Sequence, residues 1–316
     1  MKPAPPNSAR WFSQVGSLMN TLAFGLIFFR KSAPSLSPHA SVFISDPSWE
    51  NHRALFGGAG FKVETYAYYD AEQRGVRFDA MLAALGAVPA GSIVSLHACC
   101  HNPTGCDLAP AQWAQVVAVV KAKALVPFLD MAYQGFGDGI AQDGAVIQQF
   151  LGADLNFFVS TSFSKSFSLY GERVGALSVV CSSQEEASRV LSQLKIVIRT
   201  NYSSPPTHGA QVVASVLTTP ALRSLWEQEL TAMRVRIKQM RGALVDKLKA
   251  AGVTQDLSFI TRQQGMFSYS GLSTPQMQRL RSEFGIYGLD SGRICMAALN
   301  SRNLDPVAAA MAKVMA

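Results

Sequence analysis

Residues 91–130 read GSIVSLHACC (91–100), HNPTG (101–105), CDLA (106–109), PAQWAQVVAVVKAKA (110–124) and LVPFLD (125–130). The first and last of these segments are apolar runs, as expected of strands that are covered on both faces. The segment 110–124 predicts a helix, with Pro110 at an early position where proline is tolerated. A strand, a helix and a second strand in this order predict a βαβ unit of a parallel sheet.

The same alternation extends outward from this unit. Further strands are predicted at 41–45, 61–68, 155–160 and 173–181, and further helices at 78–88, 183–199, 207–217 and 220–251. The tail mixes short strands with helices. We therefore expect an α/β fold in three parts: a divergent N-terminal segment (1–40), a large α/β domain with a mostly parallel sheet (41–218), and a long linking helix with a small α+β domain (219–316).

The apolar segment SLMNTLAFGLIFF (17–29) predicts a buried helix. It is too short to cross a bilayer as a helix. Its positive flank, Arg30 and Lys31, follows the apolar run, whereas a signal peptide carries positive charge before it. The sequence thus predicts neither a membrane anchor nor a secretory signal.

The composition is that of a globular protein, with 48% hydrophobic and 16% charged residues among 316. The net charge of +7 comes from scattered basic residues. The densest group, RVRIKQMR (234–241), has helical spacing and indicates a solvated helix face rather than a nucleic-acid patch. The five cysteines include no pair of CxxC units, so we expect no metal site, and reduced thiols in the cytoplasm.

Three polar residues follow predicted strands: Asn102, Asp130 and Lys165. Ligands of parallel sheets bind at the carboxyl ends of the strands, where these side chains converge. Taken singly, Asn102 and Asp130 are also ordinary turn residues. Lys165 lies among serines and aromatic residues in TSFSKSFSLYGERVGA (161–176). A desolvated lysine of this kind suits Schiff-base chemistry, because burial lowers the pKa of its amine.

Six longer motifs resemble the aspartate and aromatic amino acid aminotransferases of the pyridoxal phosphate (PLP) fold type I. They occur in the order of that family, and the resemblance covers about residue 41 to the C-terminus. The motifs are SDPSWENH (45–52), HACCHNPTG (97–105), FLDMAYQGFG (128–137), SFSKSFSLYGERVGA (162–176), IRTNYSSPPTHGA (198–210) and SGRICMAALN (291–300).

The resemblance implies a PLP site built around Lys165. This lysine would carry the cofactor covalently and then move a proton between the substrate Cα and the cofactor. Asp130 would pair with the pyridine N–H, with His97 supporting its carboxylate. Tyr133 and Asn102 would bind the phenolic oxygen of the ring.

The resemblance also implies the remaining contacts. Ser162 and Arg173 would bind the cofactor phosphate, since the guanidinium fork suits phosphate oxygens. Arg293, together with Asn102, would bind the substrate α-carboxylate. Arg199 would reach the distal carboxylate in the active site of the neighbouring subunit, which implies a homodimer. Each of these arginines, taken alone, is more often an ordinary ion-pair partner.

Trp49 would pack beside the cofactor and substrate, with His52 behind it, although a lone tryptophan is more often a core residue.

The implied function is PLP-dependent transamination between an aromatic or acidic L-amino acid and a 2-oxo acid such as 2-oxoglutarate. The segment GSLMNTLAFGLIFF (16–29) departs from the phosphate-binding loop of the family. A catalytically impaired remnant is therefore one alternative. A more distant alternative is a non-enzymatic basic protein that binds anionic partners.

Overall fold

The structure, a computed structural model, describes residues 9–16, 41–201 and 203–316, with the backbone alone in the first range. The described strands are β1 (Ala9–Gly16), β2 (Val42–Asp46), β3 (Val63–Ala67), β4 (Tyr69–Asp70), β5 (Gly75–Val76), β6 (Ile93–His97), β7 (Val126–Met131), β8 (Phe157–Ser162), β9 (Val174–Cys181), β10 (Phe267–Tyr269) and β11 (Arg293–Cys295).

The helices of the same ranges alternate with these strands in the first half of the chain and predominate afterwards. They are α1 (Glu50–Gly58), α2 (Phe78–Ala87), α3 (Pro110–Ala122), α4 (Ile140–Asp143), α5 (Ala145–Gly152), α6 (Gln184–Asn201), α7 (His208–Thr218), α8 (Pro220–Ala250), α9 (Phe259–Arg262), α10 (Thr274–Phe284) and α11 (Leu304–Met315), with a 3₁₀ turn at Met296–Ala298.

The central sheet has seven described strands in the order β1-β9-β8-β7-β6-β2-β3. Strands β3, β2, β6, β7 and β8 are parallel to one another, whereas β9 runs antiparallel to β8 and β1 runs antiparallel to β9. The α/β fold with a mostly parallel sheet is therefore confirmed. The parallel register matters for the site, because it pairs His97 with Asp130 on the neighbouring strand.

Both faces of the sheet are covered, as the continuous apolar runs predicted. Phe128 and Phe158 belong to one buried cluster, and the next residues, Leu129 and Val159, belong to another. This alternation follows from the two-residue period of a strand. The second cluster comes from residues 66–180, whereas the first also takes in side chains of α8, α10 and α11. The long helix α8 thus packs into the core that it shares with the sheet.

Two features differ from the sequence-based expectations. Strand β1 lies within the N-terminal segment 1–40, where no strand was predicted, and its partners run from Cys181 back to Val174. The basic stretch 234–241 lies in α8, but it is not a wholly solvated face, because Arg241 is only 2% exposed. The predicted helix 17–29 lies outside the described residues. In the described ranges, no helix has both the length and the apolar character needed to cross a membrane.

Candidate functional site

A cavity of about 110 Å³ lies beyond the carboxyl ends of β6, β7 and β8. Seven of the residues singled out from the sequence line it, together with Ala132 and Phe267. The seven are Trp49, His97, Asn102, Asp130, Tyr133, Lys165 and Arg293. They come from segments that are up to 244 residues apart (293 − 49), and the parallel sheet brings their strand ends to one edge.

Lys165 follows β8 by three residues and is partly buried. Burial lowers the pKa of its ammonium group, the charge of Asp130 opposes this effect, and the charge of Arg173 adds to it. The Nζ atom lies 4.6 Å from the centroid of the Tyr133 ring. A lysine with a lowered pKa has a larger fraction of free amine at neutral pH, so it is suited to act as a nucleophile or a base.

Asp130 is the second-last residue of β7 and is 2% exposed. Its Oδ2 accepts a hydrogen bond of 3.0 Å from His52 Nε2, whereas its Oδ1 is buried without a partner. Burial raises the pKa of Asp130, but the hydrogen bond from His52 and the electrostatic interactions with His52 and Lys165 outweigh it, so the pKa lies below its ordinary value. The result is a buried carboxylate, ionised at neutral pH, with one oxygen free for a ligand.

Two histidines lie beside Asp130, and His52, which also meets the Trp49 ring edge-on, is the one that donates to its carboxylate. His97 was expected to support the carboxylate, but the structure gives the hydrogen bond to His52, which also lies 2.9 Å from Ser48 Oγ through Nδ1. The reason is that α1 places His52 over the carboxylate, whereas the His97 ring packs 5.1 Å from the His52 ring. His97 Nε2 is buried without a partner, and burial lowers the pKa of His97 to about 3. His97 is therefore a neutral packing residue in this site.

Asn102, Tyr133 and Arg293 form one hydrogen-bonded row along the cavity wall. Arg293 Nη1 donates to Asn102 Oδ1 at 2.9 Å, and Asn102 Nδ2 donates to the Tyr133 hydroxyl at 3.3 Å. The Arg293 guanidinium lies 4.5 Å from the centroid of the Phe267 ring. The same ring meets Tyr133 edge-on, with 6.0 Å between the centroids. Phe267 was not singled out from the sequence, since no local pattern marks it as a site residue.

Three predicted site residues do not line this cavity: Ser162, Arg173 and Arg199. Ser162 is buried, and its Oγ accepts the Ser164 N–H at 3.2 Å. Arg173 is exposed, has a positive φ of 54°, and donates to the Tyr170 carbonyl at 2.8 Å. Arg199 is exposed and donates to Ser203 Oγ. Both arginines are therefore held by contacts within a few residues of themselves.

The site is better suited to an organic cation than to a metal ion. The ligand atoms of His52, His97 and Asp130 lie within 4.8 Å of one another. However, His52 Nε2 must carry a proton, because it donates to a carboxylate that can only accept, and a protonated nitrogen cannot bind a metal. The unpartnered Oδ1 of Asp130 is instead suited to a ligand N–H group.

Comparisons with known proteins agree on one family. The family model "Aminotransferase class I and II" matches residues 19–311. The chain is 62% identical over 280 residues to the aspartate aminotransferase of Pseudomonas aeruginosa, which covers 89% of this chain and 70% of that protein. It is 54% identical over 278 residues to the aromatic-amino-acid aminotransferase of Escherichia coli, covering 88% of this chain and 70% of the relative.

Solved structures give the same result. The fold superposes with a TM-score of 0.94 on the aromatic-amino-acid aminotransferase from Burkholderia pseudomallei covalently bound to pyridoxal phosphate. That match has 62% sequence identity and covers 97% of this chain and 76% of the other. An aspartate aminotransferase from Trypanosoma brucei, described as mitochondrial, superposes with a TM-score of 0.93 at 39% identity, covering 96% of this chain and 80% of the other.

Proposed function

The chain belongs to the class I and II aminotransferase family, and on this premise we propose that the cavity around Lys165 is its active site. The reaction is transamination between an acidic or aromatic L-amino acid and a 2-oxo acid such as 2-oxoglutarate. The family and the identity to aspartate and aromatic aminotransferases favour this function over a non-catalytic remnant or a basic binding protein. When bound, pyridoxal phosphate supplies an electron sink for the pair left behind when a proton leaves the substrate Cα.

The observation that carries the proposal is the free oxygen of Asp130. Its carboxylate is buried and ionised, and its Oδ1 lacks a hydrogen-bond partner. A buried charge of this kind is costly unless a ligand or neighbour pairs with it. A protonated pyridine nitrogen is a cationic N–H donor of the right chemistry. Asp130 would bind this group and keep it protonated, while His52 holds the carboxylate in place.

Lys165 would hold the cofactor through its amine and move the proton at the substrate Cα. Two features support this role: the pKa lowered by burial, and the position beside the Tyr133 ring. Tyr133 and Asn102 would bind the phenolic oxygen of the cofactor, and Trp49 would pack beside the ring. These groups all line the same cavity, so the fold brings them together around one binding site.

Arg293 would bind the α-carboxylate of the substrate, with Asn102 fixing its guanidinium. Ser162 and Arg173 would contact the cofactor phosphate. Arg199 would bind the distal carboxylate in the active site of a second copy of the chain, so we propose a homodimer. We also propose that the protein acts in the cytoplasm, and that residues 41–218 form the large domain and 219–316 the linking helix and small domain.

The test is the absorbance spectrum of the purified protein after incubation with PLP and removal of the excess. We expect a retained band of the lysine-bound cofactor, which shifts when aspartate or tyrosine is added. Lys165→Ala should lose this band and the transamination activity. Lys195→Ala, which changes an exposed lysine of α6, should keep both. Folded wild-type protein that retains no band would contradict the proposal.

A further inference from the structure

Arg241, on the long helix α8, is among the largest fully buried side chains of the described residues. Its guanidinium donates four hydrogen bonds. Nη1 donates to the Ile260 carbonyl at 3.2 Å and to Ser268 Oγ at 3.0 Å. Nη2 donates to the carbonyls of Gly265 at 2.9 Å and Phe267 at 2.6 Å. One side chain therefore holds the backbone of residues 260–268 at three points.

This arginine has no ion-pair partner: within the described ranges, no carboxylate oxygen lies within 4 Å of its guanidinium. Burial lowers the pKa of Arg241 to about 10, so it is still a cation at neutral pH. Burying a charge among neutral acceptors is costly compared with an apolar side chain of similar volume. Stability alone does not account for a guanidinium here. What it provides specifically is a fixed fork of donors that aligns several carbonyls at once.

The segment that Arg241 holds packs against the turn that carries Asn102. Gln264 N–H donates to the Gly105 carbonyl at 2.6 Å. A Cβ atom added to Gly265 would lie 2.5 Å from the Cys100 Cβ, so the two backbones are in close contact. A displacement of residues 260–268 would therefore also displace the turn that carries Asn102, which is part of the cavity wall.

The same segment presents Phe267 to the cavity. The Phe267 ring lies under the Arg293 guanidinium, which in turn donates to Asn102. The carbonyl of Phe267 is the closest of the four acceptors of Arg241. A continuous path of contacts thus runs from Arg241 through the Phe267 backbone and ring to Arg293.

We propose that Arg241 is a positioning residue for carboxylate binding: by clamping residues 260–268, it fixes the Phe267 ring and through it the orientation of Arg293. The inference rests on the proposed function of the cavity. Arg241 itself touches neither substrate nor cofactor. Its effect reaches the substrate only through the placement of Arg293, so it should affect binding more than the chemical step.

The test compares Arg241→Lys, which keeps the charge but loses the fork, with Arg241→Met, which removes every donor. The holoenzyme is assayed for KM and kcat with aspartate and 2-oxoglutarate. Calorimetry gives the Kd of succinate, a dicarboxylate without an amino or oxo group that cannot react. We expect Arg241→Met to raise KM and the succinate Kd by about tenfold, with kcat changed by less than about threefold, and Arg241→Lys to lie in between.

Arg236→Met is the matched control. Arg236 lies on the same helix and also donates to two carbonyls, those of Leu299 at 2.7 Å and Ala297 at 3.0 Å, but neither of them lines the cavity. The Arg236→Met substitution should lower the melting temperature and leave KM and the succinate Kd unchanged. KM is independent of the concentration of active enzyme, so a purely structural role of Arg241 would not change it.

A second variant keeps the inference testable if Arg241→Met does not fold. Phe267→Leu removes the ring and leaves the Arg241 hydrogen bonds in place. If Arg241 acts through this ring, adding Arg241→Lys to Phe267→Leu should raise the succinate Kd no further. Additive effects of the two substitutions on the succinate Kd would overturn the inference. So would Arg241→Lys protein with a lower melting temperature but an unchanged KM and succinate Kd. Wild-type protein that does not transaminate would instead overturn the proposed function.

Discussion

Arg293 and Arg199 are the two arginines proposed to bind the carboxylates of one substrate, and their surroundings are opposite. Arg293 is partly buried, donates to Asn102, which is 191 residues away in sequence, and lies against the Phe267 ring. Arg199 is exposed, and its hydrogen bond is to Ser203, four residues further along the chain. The Arg293 guanidinium is thus fixed by tertiary contacts, whereas the hydrogen bond of Arg199 is local and exposed.

The difference has an energetic consequence. A free arginine side chain has about 2 kcal/mol of rotamer entropy to lose when it is fixed. Folding has already fixed Arg293, so little of this cost remains when a carboxylate binds. Arg199 still has most of it to lose. We therefore expect Arg293 to bind the group that all substrates share, and Arg199 to bind the variable one, whose side chain is acidic in some substrates and aromatic in others.

The largest expected effect comes from Arg293→Lys. The substitution keeps the charge but removes the fork, the bond to Asn102 and the packing on Phe267. We expect kcat/KM to fall by about 100-fold for every amino acid donor, equivalent to about 3 kcal/mol, which is the upper value for one charge-assisted hydrogen bond. Arg279→Lys, at an exposed i,i+4 pair with Glu283, is the control and should behave as wild type. If kcat/KM fell by less than about threefold in Arg293→Lys, Arg293 would not be the residue that binds the carboxylate shared by all donors.

Arg199→Lys should have a smaller and selective effect. We expect kcat/KM for aspartate to fall by about tenfold and that for tyrosine to change by less than about twofold, since only aspartate has a distal carboxylate. The two donors are assayed in parallel on the same preparation. Equal losses for both donors would mean that Arg199 does not bind the distal carboxylate.

A mixing experiment tests whether Arg199 acts in the active site of its own subunit or in that of the partner subunit. Arg199→Ala and Lys165→Ala proteins are each expected to be poorly active or inactive with aspartate. Unfolded together and refolded as a mixture, they form hybrid dimers in which one site combines an intact Lys165 with the partner subunit's Arg199. We expect aspartate activity to reappear in the mixture. Activity no higher than that of Arg199→Ala alone would contradict the shared site.

The residues of the site also differ in how far the sequence predicts their positions. Lys165, Asp130 and Asn102 could be placed at one sheet edge, because buried parallel strands are continuous apolar runs and their ends meet. The pairing of His52 with Asp130, the place of Phe267 under Arg293 and the burial of Arg241 could not. Each depends on which distant segment packs against the strand ends, and no local pattern encodes that.

Strand β1 was missed for a related reason. Its sequence, ARWFSQVG, shows neither a continuous apolar run nor a strict alternation of apolar and polar residues. It forms a strand through antiparallel pairing with β9 at the edge of the sheet, a contact with residues more than 150 positions away (174 − 16 = 158). Tertiary pairing therefore decides the structure of this segment, as is common for strands.

The last expected effect concerns stability and depends on a buried titratable group, His97. Burial lowers the pKa of His97 to about 3, below the ordinary value of 6.5. Between these two pH values the unfolded chain binds a proton that the folded chain does not. The free energy of unfolding must therefore fall as the pH drops from 6.5 towards 3, by about 1.4 kcal/mol per pH unit for this group.

Urea unfolding of wild type and His97→Gln at pH 7 and pH 5 tests this expectation. The loss of stability between the two pH values should be about 2 kcal/mol smaller in His97→Gln, because glutamine does not titrate. Ser160→Ala is the matched control: Ser160 is also buried with an unpartnered side-chain oxygen, and it pairs with Asp130 from the neighbouring strand β8. It should change stability equally at both pH values. If His97→Gln showed the wild-type pH dependence, His97 would take up a proton in the folded state as readily as in the unfolded one, and it would not be the neutral packing residue that its burial indicates.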